Sequence, residues 1–216
     1  MEGDLELHRN PTIRLEEPAL DAPFKTLPPL YQKWGTLQVV SILLSSELAS
    51  GFPLQTQHLA ALDSEGVFVR FLLNGDSVLA FVQPATGTAL RLIPERTYCS
   101  TGSPRSLSFP QRPDVAIEII PVDAPLFVVL FDPTYKLSND GIEAAAVPLK
   151  EDIDKMHTYR DAIRDNQGGH VVCSAHTLYP WQTFLYGAEI GAIETDQLVL
   201  DLMKTHNADL LNPKIS

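Results

Sequence analysis

The chain has 216 residues, of which 44% are hydrophobic and 20% charged, proportions typical of one folded domain and not of a disordered chain. No apolar run reaches the roughly 18 residues that a membrane span needs, and no basic-then-apolar leader opens the sequence, so we expect a cytoplasmic protein. The net charge of −11 argues against binding nucleic acid through general positive charge, but it does not exclude a site where carboxylates hold a metal ion.

The N-terminal half begins with a segment that lacks regular periodicity. Acidic residues alternate with prolines there, which predicts an extended arm over residues 1–27 and one domain over residues 28–216. From Pro28 to about Ser50, apolar residues recur at helical spacing, so we predict a long helix with one buried face. The residues expected on that face are Leu30, Trp34, Leu37, Ile42, Leu44 and Leu48.

Short apolar runs separated by turn-forming residues follow the helix. They predict a meander of three strands near residues 67–73, 77–82 and 88–93. Two further strands, at 114–120 and 126–131, are joined by a link rich in proline, which favours a hairpin.

The last third of the chain alternates helical and strand patterns. The predicted elements are a helix near 149–165, strands at 171–178 and 188–193, and a final helix near 196–205. This order predicts an α/β fold with a mixed β-sheet flanked by helices. Cys99 and Cys173 lie far apart and form no Cys-x-x-Cys pair, so we expect two core residues and neither a zinc site nor a disulfide.

Two aspartates stand where the predicted hairpin strands meet. Asp114 follows a proline at the start of one strand, and Asp132 ends the other, so the hairpin brings their carboxylates toward each other. Such an oxygen-rich pair suits Mg²⁺ or Mn²⁺, which activates water and neutralises charge on a phosphodiester. Asp114 is also an ordinary turn residue. Glu118 shares its strand face and either extends the acidic pair or faces solvent; we favour solvent.

The sequence resembles the PD-(D/E)XK nuclease superfamily, and specifically its McrC-like branch, the nuclease subunits of modification-dependent restriction systems. The resemblance covers residues 28–203, and its most specific part is the run Glu151–Ile163, EDIDKMHTYRDAI. The other segments that carry it are Leu30–Trp34, Pro113-Asp114, Asp132–Lys136, Ala175–Pro180 and Gly187–Ile193. It implies a restriction-endonuclease-like core that cleaves DNA with Mg²⁺ or Mn²⁺ in antiviral defence.

The resemblance also implies roles for single residues around the aspartates. Asp114 and Asp132 become catalytic metal ligands, with the carbonyl of Pro133 as a further ligand. Thr134 occupies the position of the superfamily's lysine, whose ammonium stabilises the charged transition state. The loss of one such group costs about 10²–10³ in rate, so we expect weak or no cleavage, raised by Thr134→Lys. Lys136 either replaces that lysine or is an ordinary residue at a strand end.

Further positions are expected to contact DNA or assist the metal. The resemblance assigns DNA binding to Lys155 and Tyr159, which lie one helical turn apart and can converge on one phosphate. Arg112 and Arg160 are expected to form a local positive rim with Lys155, and Arg112 is alternatively an ordinary solvated surface arginine. Gln32 stands where related opening helices carry a glutamate, and its neutral amide is a poorer metal ligand.

The implied partners are DNA and a separate NTPase motor. The superfamily's restriction subunits work with a GTP-driven motor, and this chain contains no Gly-x-x-x-x-Gly-Lys-Ser/Thr loop of its own. A homo-oligomer is left open. The alternative function is a nuclease-derived DNA-binding or assembly subunit that does not cleave.

Overall fold

A mixed eight-stranded β-sheet with one helix packed against each face forms the centre of the protein. The computed structural model describes residues 13–15, 27–45, 51–63, 66–69, 75–135, 148–180, 182–187 and 189–194. The helices are α1 (Leu27–Ser45) and α2 (Lys150–Ala162). The strands are β1 (Ile13–Leu15), β2 (Leu54–Gln57), β3 (Ala60–Asp63), β4 (Gly66–Val69), β5 (Leu79–Val82), β6 (Ala89–Pro94), β7 (Arg105–Ser106), β8 (Val115–Ile120), β9 (Phe127–Pro133), β10 (Ile163–Arg164), β11 (Val172–Tyr179), β12 (Phe184–Leu185) and β13 (Ile190–Glu194).

The large sheet joins an antiparallel half to a parallel half. Its strand order is β12-β13-β11-β9-β8-β6-β5-β2. Strands β2, β5, β6, β8 and β9 pair antiparallel with their neighbours in this order, whereas β9, β11 and β13 run parallel. Helix α2 lies in the connection between β9 and β11. A parallel pair requires such a crossover, usually a helix. The predicted α/β architecture and the predicted hairpin, β8 with β9, are confirmed.

The predicted meander is only partly correct. β5 and β6 pair antiparallel and continue to β8, but β4 belongs to a separate three-stranded sheet with β1 and β3. β1 lies within the predicted N-terminal arm and pairs in parallel with β4. The domain boundary at residue 28 stays a prediction.

Hydrophobic cores lie on both faces of the large sheet. On one face, Val115, Ile117, Val129 and Phe131 pack in a cluster that includes Val39, Val40 and Leu43 of α1. On the other, Ala116, Val128 and Leu130 pack in a cluster that includes Ile153, Met156 and Tyr159 of α2. Because side chains alternate along a strand, the even-numbered residues of β8 and β9 face α2.

The buried face of α1 differs from the predicted one. Trp34 and Leu44 are exposed, whereas the buried residues are Tyr31, Gly35, Thr36, Val39, Val40 and Leu43. Gly35 explains the choice, because a Cβ added there would lie 2.6 Å from Cβ and Cγ of Pro133. The helix approaches the sheet most closely at its smallest residue, and that contact decides which stripe is buried.

The second helix ends earlier than predicted. α2 stops at Ala162, whose carbonyl accepts a hydrogen bond from the Leu107 N–H at 2.9 Å, and Ile163 and Arg164 then pair with β7. The predicted final helix near 196–205 lies outside the described residues. Within the ranges given above, no helix is both long enough and apolar enough to cross a membrane.

Candidate active site

The β8–β9 hairpin brings Asp114 and Asp132 together at one end of the sheet. Val115 pairs with Phe131, so continuing the antiparallel register sets Asp114 directly opposite Asp132. The Asp114 N–H donates to Oδ1 of Asp132 at 2.8 Å. Residues directly opposite each other point to the same face, here the face covered by α2.

Asp132 has partners in α2 and β11 in addition to the Asp114 N–H. Its carboxylate is 1% exposed, and its Oδ2 forms an ion pair with the Nζ of Lys155 from α2. The hydroxyl of Thr177 in β11 donates to the Asp132 backbone carbonyl at 2.9 Å. A buried carboxylate requires such partners, because burial alone strongly disfavours its charge.

Asp114 is half-buried and carries an unfavourable charge. Burial, and secondarily the negative charge of Asp132, raise the pKa of the Asp114 carboxyl to about 7, against the opposing effects of Lys155, Gln32 and Arg112. The side-chain amide of Gln32 in α1 donates to its Oδ2 at 3.1 Å. Gln32 therefore touches the carboxylate pair, although its amide adds no charge.

Pro133 ends β9 at a point where the strand is paired on one side only. β9 pairs with β8 on one side and with β11 on the other, but β8 pairing reaches only Phe131. The missing proline N–H therefore breaks no ladder hydrogen bond. The Asp132 carbonyl and the Thr134 N–H face β11, so the Pro133 carbonyl faces the β8 side, where Asp114 lies.

Thr134 continues the strand direction beyond β9. Its N–H donates to the Leu178 carbonyl at 2.9 Å, and its hydroxyl lies 3.4 Å from the Asp132 carbonyl. As an even-numbered position it shares the α2 face with Asp132. Lys136 lies outside the described residues, so its expected role stays a prediction.

Two α2 residues, Lys155 and Tyr159, lie beside the carboxylate pair. Lys155 reaches that pair, and its Nζ lies 5.5 Å from the centre of the Tyr159 ring. The DNA-binding role of Lys155 stays a prediction. Tyr159 is 2% exposed and donates to the Arg112 carbonyl at 3.1 Å. Burial and the charge of Asp132 raise the pKa of Tyr159. Tyr159 is therefore a buried packing and hydrogen-bonding residue here and does not present its ring to DNA.

Both arginines expected to bind DNA are paired with glutamates. Arg112 forms an ion pair with Glu95, and Arg160 forms one with Glu189. Glu95 adopts a φ of 49°, uncommon for a residue other than glycine, and its N–H donates to the Asp114 carbonyl at 2.8 Å. No local sequence pattern indicated these pairs, because their members lie 17 and 29 positions apart in the chain.

Glu118 neither faces solvent nor joins the carboxylate pair. It is 5% exposed and accepts hydrogen bonds from Arg96 Nε at 3.1 Å and from the Tyr98 hydroxyl at 3.3 Å. Both expectations for Glu118 were wrong, because a cationic partner satisfies its charge inside the fold. Cys99 also departs from expectation, since it is exposed and not in the core.

An open cavity of about 510 Å³ lies beside the carboxylate pair. Its walls include Gln32, Pro133, Thr134, Glu151, Asp152 and Lys155. Asp152 and Lys155 of this wall are three positions apart in α2, so their side chains lie on one face of the helix.

The donor set fits a hard divalent cation that keeps several water ligands. In the described part of the chain, no group of three or more His, Cys, Asp or Glu side chains is arranged to hold a metal ion. Mg²⁺ is nevertheless commonly bound by one or two carboxylates together with waters and substrate phosphates. Two facing carboxylates, one with a raised pKa, supply the negative charge that such an ion neutralises.

Comparison with known proteins gives one family. The family model of the PD-(D/E)XK nuclease superfamily matches residues 29–183, which is more than half of the chain. No curated protein and no solved structure matches this chain significantly.

Proposed function

Because the chain belongs to the PD-(D/E)XK nuclease superfamily, we propose that it is a metal-dependent endonuclease that hydrolyses phosphodiester bonds in DNA. The observation that carries this proposal is the direct opposition of Asp114 and Asp132 on one face, beside an open cavity. The finer assignment is to the McrC-like branch, with a role in restriction and antiviral defence alongside a separate NTPase motor.

In this proposal the carboxylates of Asp114 and Asp132 and the carbonyl of Pro133 hold Mg²⁺ or Mn²⁺. The ion supplies a more acidic bound water and neutralises charge on the phosphate. The hydrogen bond from Thr177 holds the backbone carbonyl of Asp132 in place. The hydroxyl of Tyr159 likewise holds the backbone carbonyl of Arg112, two residues before Asp114. Gln32 orients the Asp114 side chain.

Arg112 and Arg160 are the proposed phosphate contacts at the rim. Each is held by a glutamate, so DNA must displace Glu95 and Glu189 to reach both cations. The overall charge of −11 repels DNA, and binding therefore depends on these local groups and on the metal ion.

Cleavage of plasmid and linear DNA in Mg²⁺ or Mn²⁺ tests the proposal. Thr134 predicts that cleavage is weak, and we expect this weak cleavage to stop when EDTA is added and to fall to background in Asp114→Asn and Asp132→Asn. Divalent ions should also raise the thermal midpoint of the parent protein and leave that of Asp132→Asn almost unchanged, because ligand binding stabilises the folded state. Circular dichroism provides the control for folding. Equal cleavage by the parent and both variants would contradict the assignment.

A non-cleaving DNA-binding or assembly subunit is the second candidate. The observation in its favour is that two positions at the site carry neutral side chains, Thr134 and Gln32, where the superfamily resemblance expects charged ones. This function predicts DNA or NTPase binding without turnover. It becomes the better assignment if Thr134→Lys, with metal bound and the partner present, cleaves no DNA substrate.

A further inference from the structure

The neutral position at this site lies directly under a lysine from another element. Thr134 lies two residues after Asp132 on the strand face that α2 covers, and Lys155 of α2 pairs with Asp132. Thr134 and Lys155 both line the cavity beside the carboxylates. The strand has no cation at Thr134, but the helix supplies one, Lys155, to the same cavity.

The contacts of Lys155 aim its ammonium at the carboxylate pair. Nζ forms an ion pair with Oδ2 of Asp132, whose side chain is 1% exposed, while the lysine side chain remains 48% exposed. The ring of Tyr159, one helical turn away, lies beneath the ammonium at 5.5 Å. Lys155 thus lines the open cavity and reaches the buried carboxylate of Asp132 from it.

The neighbouring arginines are less suited to this role. Arg112 and Arg160 are held by Glu95 and Glu189, and Arg96 is held by Glu118. Lys155 is the described cation whose ion-pair partner is itself one of the two facing aspartates.

We infer that Lys155 supplies the transition-state ammonium that Thr134 lacks, an inference that rests on the proposed nuclease function. In the hydrolysis, the oxygen of water bonds to phosphorus while a P–O ester bond breaks. The proton of the water passes to solvent, and the departing oxygen takes a proton from solvent. Lys155 keeps its proton throughout and stabilises charge on the phosphate oxygens, since such reactions depend on positioning and electrostatics.

The test compares cleavage by the parent, Lys155→Met, Thr134→Lys and the double variant. Methionine retains an unbranched apolar stem and removes the charge. We expect Lys155→Met to lose about 10²–10³ in rate, and Thr134→Lys to restore most of it in the double variant. In the parent background Thr134→Lys should then give a much smaller gain than the about 10²–10³ expected from the sequence, because one ammonium is already present. Lys150→Met is the matched control, since Lys150 is exposed on the same helix and pairs with Asp154; its rate should equal the parent's.

Binding measurements in the absence of cleavage distinguish two roles for Lys155: an ammonium that stabilises the transition state, or a side chain that blocks the metal site. With Ca²⁺ as the probe, Lys155→Met should bind DNA within about tenfold of the parent, the effect of losing one phosphate contact. Its Mn²⁺ affinity should change by only a few-fold. A gain in Mn²⁺ affinity of a hundredfold or more would show that Lys155 blocks the metal, and would overturn the inference.

The remaining outcomes distinguish this inference from the proposed function. If Lys155→Met cleaves like the parent while Lys136→Ala does not, Lys136 supplies the cation and the inference is wrong. If Thr134→Lys cleaves but the double variant does not, Lys155 has a structural role and the inference is again wrong. If Asp114→Asn cleaves like the parent, or no variant cleaves at all, the proposed function fails and the inference fails with it.

Discussion

At the scale of single residues, burial separates the two cysteines. Cys173 donates to the Val128 carbonyl at 3.3 Å, and burial raises the pKa of its thiol to about 11, whereas Cys99 is exposed. The thiolate is the reactive form, so the raised pKa keeps Cys173 mainly in the unreactive thiol form at pH 8. We predict that iodoacetamide adds one label to the native protein at pH 8, on Cys99, as read by intact mass.

Cys99→Ser provides the control for this measurement. The native variant should take no label, and both it and the parent should gain a label on Cys173 once unfolded in denaturant. Two labels on the native parent at pH 8 would contradict the burial of Cys173.

Ion pairing of the rim arginines leads to a second residue-scale prediction. Replacing Glu189 with glutamine frees Arg160 for phosphate, so DNA affinity should rise and its salt dependence should steepen by up to about one phosphate contact. Arg160→Glu and Arg112→Glu should weaken binding and flatten the salt dependence. Fluorescence anisotropy over a salt series, with Ca²⁺ in place of Mg²⁺, measures both quantities.

Asp123→Asn is the matched control for Glu189→Gln. It changes the net charge equally but lies in the turn at the opposite end of the β8–β9 hairpin from Asp114. If both substitutions raise affinity equally, the effect is one of total charge, and the masking of Arg160 is wrong.

At the scale of elements, the contact between α1 and β9 positions Gln32. A Cβ at Gly35 would lie 2.6 Å from Pro133, so Gly35→Ala forces the helix or the strand end to move. Overpacking costs about 1–3 kcal/mol, more than the roughly 1 kcal/mol that alanine gains over glycine in a helix. We predict a lower free energy of unfolding in urea, together with weaker metal binding as Gln32 shifts.

Gly51→Ala is the control for this prediction, because nothing lies within 4 Å of a Cβ added at Gly51. Its stability should equal or slightly exceed that of the parent. A Gly35→Ala protein as stable as the parent would show that α1 does not approach Pro133 this closely.

At the scale of the whole molecule, a net negative charge is compatible with the proposed DNA substrate because of the partners that individual cations have. The net charge is −11, yet the cations Lys155, Arg112 and Arg160 each have a carboxylate partner in the fold. A substrate phosphate competes with these carboxylates for the cations, and a metal ion competes with Lys155 for Asp132. Composition predicts weak general affinity for DNA, and only the arrangement predicts a local site.

Local sequence patterns were sufficient to predict the β8–β9 hairpin and the two aspartates at its open end. Nearly continuous apolar runs and a proline-rich link determine β8 and β9, and strand direction then determines that Asp114 faces Asp132. Helical spacing likewise predicted α1 and α2, although α2 ends at Ala162 because the next residues pair with β7.

The partners of the charged side chains were decided by the tertiary structure alone. Lys155 meets Asp132, Glu118 meets Arg96 and Glu189 meets Arg160 across distances in the chain that no periodicity records. The buried stripe of α1 was chosen by close packing at Gly35 instead of by the largest apolar residues. The amino-acid sequence by itself determined the elements and the facing aspartates, because backbone propensity and strand alternation act locally. Packing between distant elements determined which cation reaches them, because burial leaves a carboxylate no solvent to stabilise its charge.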